Sequence, residues 1–330
     1  MTNKFLIIQT AFIGDVILAT AVIEKLHKYF PESKIDFLLR KGNENLLINH
    51  PYLNEIIVWA KKKNKYKNLF QVIFKIRKNK YDYIINLQRF SSTGLITVLS
   101  GAKQKIGFHN NPFSFLFTKK IHHKFEINIH EVNRNLLLIT EITDNKFTKP
   151  KLYPLQTHYQ NVKQYKTQEY ICISPTSVWW TKQFPEDKWI EFINLVPEKY
   201  SIYLIGSPED KTACNRIITN SKNKNTVNLC EKLNLLESAA LMLDAKMNFV
   251  NDSAPLHLAS AMNAPTTAIF CSTIPDFGFG PLSDNSNIIE TTKTLDCRPC
   301  GIHGKKLCPV NTFECAYSID IQGLIKIINN

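Results

Sequence analysis

The most constraining feature of the sequence is a strand, turn, helix and strand pattern in residues 246–271, KMNFVNDSAPLHLASAMNAPTTAIFC. Residues 247–250 and 266–271 are short apolar runs of the kind that form buried strands. Between them, the apolar residues of 255–262 recur at helical spacing. Two strands joined through a helix over so short a distance form a parallel pair with a right-handed crossover. The segment therefore predicts a parallel α/β sheet.

The turn of this unit, residues 251–254, lies at the carboxyl end of a strand, where open parallel sheets bind their ligands. Pro255 is expected at the first helical position, because its missing N–H would have no partner there. The remaining N–H groups and the helix dipole favour an anion such as a diphosphate. Asp-Ser before a helix is also an ordinary N-cap, so the segment alone leaves both interpretations open. The candidate ligand contacts are Asp252, Ser253, Ala254, Pro255 and His257.

The same alternation of strands and helices runs through the rest of the chain. Strands are predicted at 4–9, 35–39, 55–59 and 83–87, and then at 170–174, 202–205, 226–229, 247–250 and 266–271. Helices are predicted at 16–30, 44–49, 69–78, 186–196, 210–220, 235–244 and 255–262. A polar stretch at 150–160 reads as a linker between the two series. Since 330 residues are many for one core, we predict two Rossmann-like parallel-sheet domains, 1–155 and 156–330.

Positive charge is concentrated in the first half. Residues 1–155 hold 25 Lys and Arg against 11 Asp and Glu, whereas residues 156–330 hold 16 against 17. The first half is therefore suited to an anionic partner, although lysines also simply solubilise a surface. Phenylalanines at 113, 115 and 117 precede a basic segment at 119–124, a combination that suits an anionic lipid surface. The candidate contacts are Lys61, Arg89, Lys119, Lys120 and Arg134.

The connection after the first strand lacks Gly-x-Gly-x-x-Gly and so gives no support to a dinucleotide site. It carries Gly14-Asp15 instead, at the carboxyl end of that strand. A carboxylate there can take the proton of a sugar hydroxyl as its oxygen attacks an anomeric carbon. The same residue can serve as an N-cap, and the two roles are compatible.

Two loops in the second half carry groups suited to a nucleotide. Residues 174–185 combine hydroxyls with one lysine after a strand, and an ammonium there acts as a point charge on a leaving phosphate. Residues 204–210 place Gly-Ser after a strand, where a nucleotide can approach the backbone, although Ser-Pro-Glu-Asp is also an ordinary helix start. The candidates are Thr176, Ser177, Thr181, Lys182, Gly206, Ser207 and Glu209.

Four cysteines follow the spacing C-x2-C-x7-C-x6-C near the end of the chain: Cys297, Cys300, Cys308 and Cys315. Four thiols so close together could ligate zinc. A basic zinc-containing nucleic-acid binder is the rival interpretation, but the basic excess lies in the other half from Lys182 and Asp252.

Three segments resemble the heptosyltransferases, the bacterial glycosyltransferases that extend the lipopolysaccharide inner core. Residues 13–20 are similar to the family's I-G-D-x-x-x-x-T motif, and 182–185 to its K-x-W/F-P. Residues 251–259 are similar to N-D-S-G-P-x-H-x-A, with Ala254 where the family usually has glycine. The cysteine segment also resembles one that the family carries without needing it for its chemistry, so the resemblance favours a structural loop with free or paired thiols over a metal site.

This resemblance implies a GT-B fold, with the two domains facing a cleft, and an inverting, metal-independent transfer that needs no cofactor. It implies an ADP-heptose donor held by the second domain and a phosphorylated lipid A–inner-core acceptor held by the first. Asp15 is then the catalytic base, Lys182 a contact of the donor diphosphate, and Asp252 a residue near the sugar.

Two alternatives stay open. One is a same-fold transferase with another donor or acceptor, and the other is a non-catalytic sugar-nucleotide or glycolipid binder, which Ala254 does not exclude. No segment resembles a signal peptide or a membrane span. We therefore expect a cytoplasmic protein with peripheral contact to the inner membrane and no nucleic-acid partner.

Overall fold

A computed structural model describes residues 2–61, 64–123 and 127–329. The chain divides into two compact units, Met1–Tyr153 and Pro154–Asn330. The boundary predicted from the sequence, between residues 155 and 156, lies two residues later. Each unit contains one six-stranded sheet in which neighbouring strands are parallel. The predicted α/β class and parallel sheets are confirmed.

The first unit has the strand order β3-β2-β1-β4-β5-β6. The strands in the middle of this sheet are mostly apolar and buried, as expected for strands covered by helices on both faces. Its elements are β1 (Lys4–Ile8), α1 (Ile13–Tyr29), β2 (Lys34–Arg40), β3 (Leu53–Trp59), α2 (Lys65–Asn79), β4 (Tyr83–Asn86), α3 (Ser91–Leu99), β5 (Gln104–Phe108), β6 (Lys119–Ile121) and α4 (Glu131–Leu137).

The second unit has the strand order β12-β11-β10-β7-β8-β9. The neighbouring strands β7 and β10 lie in the middle of the sheet, so the segments that follow them meet at one edge. The elements are α5 (Gln156–Val162), β7 (Tyr170–Ser174), α6 (Glu186–Leu195), β8 (Ser201–Leu204), α7 (Lys211–Asn220), β9 (Thr226–Asn228), α8 (Leu235–Leu243), β10 (Met247–Asn251), α9 (Ala254–Met262), β11 (Thr266–Phe270), β12 (Ser286–Glu290), α10 (Glu314–Tyr317) and α11 (Ile321–Asn329).

Several predicted boundaries were wrong. Helix α1 begins at Ile13 rather than at residue 16, because the Asp15 carboxylate accepts the backbone N–H of Phe12 at 3.1 Å and caps the first turn. The predicted linker is helical from residue 156, and the predicted helix at 44–49 is a 3-10 turn at Glu44–Leu46. Within the described ranges, no helix is long and apolar enough to cross a membrane.

Candidate functional site

The ion pair of Lys182 and Asp252 is the central contact at the carboxyl edge of the second sheet. The Lys182 Nζ lies 2.6 Å from Asp252 Oδ2, and the Thr273 hydroxyl donates to the same oxygen at 2.7 Å. The two side chains are only 12% and 6% exposed. Separating a buried pair of this kind is unfavourable, because each side chain would become an uncompensated buried charge. The two side chains therefore hold each other in place. An ammonium has three N–H donors, so two remain for the oxygens of an anion.

Asn251 connects the loop that carries Lys182 to strand β10. Its side-chain amide donates to the carbonyls of Ser174 and Thr176 at 3.3 and 3.4 Å and accepts the N–H of Phe184 at 2.9 Å. Asn251, which the sequence pattern placed in the turn, is the last residue of β10 and fully buried. An amide at the end of an apolar strand was the available signal, since a buried amide requires partners.

Thr181 is held by the segment that contains the cysteines. Its hydroxyl oxygen accepts the backbone N–H of Lys305 at 2.7 Å and lies 3.0 Å from the Ser272 hydroxyl, which donates to it. Gly304 has a φ of +71°, and a Cβ there would lie 3.0 Å from Lys182 Cγ. The segment therefore packs directly against Lys182, and the Thr181 hydroxyl is engaged within the protein. A contact of Thr181 with a donor stays a prediction.

Arg298 anchors the same segment to the end of β11. Its guanidinium donates to the carbonyls of Cys271 at 2.7 Å and Thr273 at 2.8 Å and pairs with Glu290. The four cysteines at 297, 300, 308 and 315 are free thiols. Within residues 2–61, 64–123 and 127–329, no three His, Cys, Asp or Glu side chains are arranged to hold a metal ion. Sequence reasoning missed Arg298, although an arginine between two cysteines of a loop was visible.

The first turn of α9 directly follows Asp252, the acidic partner of the ion pair, in the sequence. Ser253 is the N-cap and Ala254 the first helical residue, so Pro255 occupies the second position, not the first as predicted. Because Ala254 has an ordinary helical backbone, the glycine usual in the family is not required here for its conformation. His257 is buried at 6% exposure, with its ring centroid 6.3 Å from that of Phe279.

The Gly206 loop follows β8 at the same edge of the sheet. The hydroxyl and the N–H of Ser207 both donate to the Asp210 carboxylate, at 2.7 and 2.8 Å. A Cβ on Gly206 would lie 2.9 Å from that carboxylate. Ser207 is thus the N-cap of a 3-10 turn, and Glu209 is exposed to solvent. The local structure of this loop is therefore that of a helix start, as the sequence allowed. Nucleotide contacts by Gly206, Ser207 and Glu209 stay predictions.

Asp15 lies in a group of charged side chains that follow strands β1, β4 and β6 of the first sheet. Burial raises the pKa of Glu131, Arg134 and Arg89 oppose that shift, and the Asp15 carboxylate adds to it. Arg134 is buried and its guanidinium lies 3.0 Å from the Glu131 carboxylate. The structure therefore brings Asp15, Arg89 and Arg134 each within electrostatic reach of Glu131, which was not among the predicted site residues.

His123 belongs to the same group. Burial, with the charges of Arg89 and Arg134, lowers the pKa of His123 to about 4. The imidazole is therefore neutral at neutral pH, and its ring packs edge-on against Phe108 with centroids 4.7 Å apart. A neutral histidine among arginines can accept a hydrogen bond from a ligand hydroxyl.

Lys61 is tied to the connection between β1 and α1. Its ammonium donates to the hydroxyl of Thr10 at 2.7 Å and lies 4.7 Å above the ring of Trp59. Burial, followed by the charges of Arg40 and Lys65, lowers the pKa of Lys61 to about 8. Lys61 therefore lies near the helix start that carries Asp15.

The side chains of the basic segment at 119–124 differ in their surroundings. Lys119 pairs with Glu141, whereas Lys120 is exposed. Phe117 is buried and Phe115 is 70% exposed, so only part of the predicted aromatic surface reaches solvent. Lys124 lies outside the described residues. Binding of an acceptor by Lys119 and Lys120 stays a prediction.

Comparison with known proteins supports the resemblance seen in the sequence. Residues 69–309 match the model of glycosyltransferase family 9 (heptosyltransferase). A lipopolysaccharide heptosyltransferase 3 from Escherichia coli is 29% identical over 290 residues, which are 83% of this chain and 85% of that protein.

Two solved structures share the fold. A family 9 glycosyltransferase from Veillonella parvula has a TM-score of 0.87 at 20% identity, covering 99% of this chain and 96% of that one. The Escherichia coli ADP-heptose lipopolysaccharide heptosyltransferase II has a TM-score of 0.82 at 20% identity, with coverages of 99% and 97%. At this identity the likeness establishes the fold, and the predicted GT-B class is confirmed.

Proposed function

The chain belongs to glycosyltransferase family 9, the heptosyltransferases of lipopolysaccharide core synthesis, and we propose that it moves a heptose from ADP-heptose to a phosphorylated lipid A–inner-core acceptor. The observation that carries the donor assignment is the buried pair of Lys182 and Asp252, directly before the N-terminus of α9. A fixed ammonium beside a helix N-terminus suits a diphosphate. The heptosyltransferase II that shares the fold is named for ADP-heptose.

In the proposed reaction, the Asp15 carboxylate takes the proton of the acceptor hydroxyl. The oxygen attacks the anomeric carbon of the heptose, a new C–O bond forms, and the bond to the β-phosphate oxygen breaks with inversion. ADP leaves with the bonding electrons. Lys182 and the first turn of α9 neutralise the charge that develops on it, so the diphosphate needs no proton to leave. The proposed reaction uses no metal ion and no cofactor.

The second group of charges suits the acceptor. Arg89 and Arg134 lie within electrostatic reach of Glu131, as Asp15 does, and Lys61 contacts Thr10 in the connection that leads to Asp15. Guanidinium groups bind phosphates through paired N–H donors. We propose that this group holds the phosphorylated core sugar, and that the protein works in the cytoplasm at the inner face of the membrane.

The donor assignment is tested by thermal unfolding with ADP, UDP and GDP and their sugar conjugates. A ligand at 100 times its Kd stabilises the folded state by about 2.7 kcal/mol. We expect ADP and ADP-heptose to raise Tm by several degrees and the uridine and guanosine compounds to leave it unchanged. A shift with UDP or GDP compounds alone would contradict the ADP assignment.

A further inference from the structure

Helix α2 is apolar on two faces. Its inner face packs on the core of the first unit, as in any surface helix, through Leu69, Val72, Ile73 and Ile76. Its outer side carries a second apolar set, Tyr66, Phe70 and Phe74, which are 73%, 60% and 74% exposed.

These three aromatic residues are spaced by four, so they form one continuous stripe along the helix. Single exposed hydrophobic residues are normal on a protein surface, but an aligned stripe of large rings marks an interaction surface. The outer side of a helix that meets only water is expected to be polar. The α2 stripe, residues 66, 70 and 74, therefore requires a partner with an apolar interior.

The charges around the stripe decide which partner it fits. Helix α2 contains five basic residues and no acidic residue over Lys65–Asn79. Lys75 pairs with Glu55 and Arg77 donates to the carbonyl of Leu99, which ties both to the protein. Lys67 and Lys78 are exposed and adjoin the stripe on one flank by helical geometry. Aromatic rings beside lysines match the interface of an anionic lipid bilayer.

We propose that α2 lies on the surface of an anionic phospholipid bilayer, with the rings of the α2 stripe in the headgroup region. The first turn of α2 is held at the carboxyl edge of the first sheet, because Asn68 donates to the carbonyl of Ala60 at 2.9 Å. Lys61, next in the chain, contacts Thr10 in the connection that leads to Asp15. Docking through α2 brings the Asp15 edge close to a membrane-borne acceptor; this consequence rests on the proposed function.

The test compares partition onto vesicles of phosphatidylglycerol and phosphatidylcholine, measured by sedimentation. Phe70→Ser with Phe74→Ser is expected to weaken binding at least ~10-fold, since two large rings leave an apolar environment. Lys67→Ser and Lys78→Ser are each expected to weaken it about fivefold and to reduce its dependence on salt. Ile48→Ser is the control: its side chain is 62% exposed in the same unit outside α2, and the variant is expected to bind as the wild type does. Phe115→Ser tests the rival surface beside residues 119–124.

Unchanged Tm values confirm that the variants are folded. Unchanged partition of the Phe70→Ser/Phe74→Ser protein overturns the proposal, and so does a loss confined to Phe115→Ser. If the wild type is a dimer and the Phe70→Ser/Phe74→Ser protein is a monomer with unaltered vesicle binding, the α2 stripe is a contact between two copies of the chain. This result also overturns the proposal.

A transfer assay that does not depend on vesicle binding tests the proposed function separately. With an acceptor freed of its acyl chains, the Phe70→Ser/Phe74→Ser protein is expected to transfer heptose at the wild-type rate. If the wild type itself transfers none, the proposed function fails, while the vesicle experiment still decides the role of α2.

Discussion

Asp15→Asn is expected to lower kcat at least ~100-fold, the scale of losing a general base. The amide cannot take a proton from the acceptor hydroxyl, but its oxygen can still accept the N–H of Phe12 and keep the cap of α1. Folding and donor affinity are therefore expected to stay close to those of the wild type. The measurements are steady-state kinetics, Tm and calorimetric titration with ADP.

The pH profile distinguishes a base from a merely structural residue. In the wild type, kcat/KM is expected to fall at acid pH as the base becomes protonated, and in Asp15→Asn this limb is expected to disappear. Wild-type turnover in the variant would reduce Asp15 to a helix cap. Glu131, whose pKa burial raises, would then be the next carboxyl to test.

Lys182→Ala is expected to weaken ADP binding by about 1.5–3 kcal/mol, the range for a hydrogen bond to a charged group. It should also destabilise the protein by about 3–5 kcal/mol, because the buried Asp252 carboxylate loses its cation. Calorimetry with ADP measures the first effect, and unfolding in denaturant measures the second.

A double variant separates these two effects. Lys182→Ala with Asp252→Ala removes both charges, so most of the lost stability is expected to return. ADP affinity should stay low, because the ammonium is still absent. Unchanged ADP affinity in Lys182→Ala would remove Lys182 from the donor site and leave the pair a purely structural contact.

Much of the fold could be predicted from the sequence because the central strands are buried on both faces. Strands such as β1 and β7 read as unbroken apolar runs, and these predictions were confirmed. Strands β5, β6 and β12 were missed, since each is partly exposed and lacks such a run. Helix α3 was also missed, because its serines, threonine and glycine are weak helix formers.

The candidate site residues were selected one by one from local motifs, and the contacts between them were not predicted. Lys182 and Asp252 were each selected from local motifs, but their ion pair depends on β7 and β10 being neighbours in the sheet. Asn251 and Arg298 were not selected as site residues, because their partners are carbonyls far away in the sequence. The raised pKa of Glu131 likewise comes from burial, which no local pattern reveals.

The most direct test of the central claim is mass spectrometry of the acceptor after incubation with ADP-heptose. We use as acceptor a lipid A–inner-core glycolipid that carries phosphate and lacks the added heptose. The account predicts that the acceptor gains one heptose for each ADP released, with inversion at the anomeric carbon seen by NMR, and that Asp15→Asn forms almost no product. Transfer from a UDP- or GDP-sugar but not from ADP-heptose, or release of ADP without glycosylated acceptor, would contradict it.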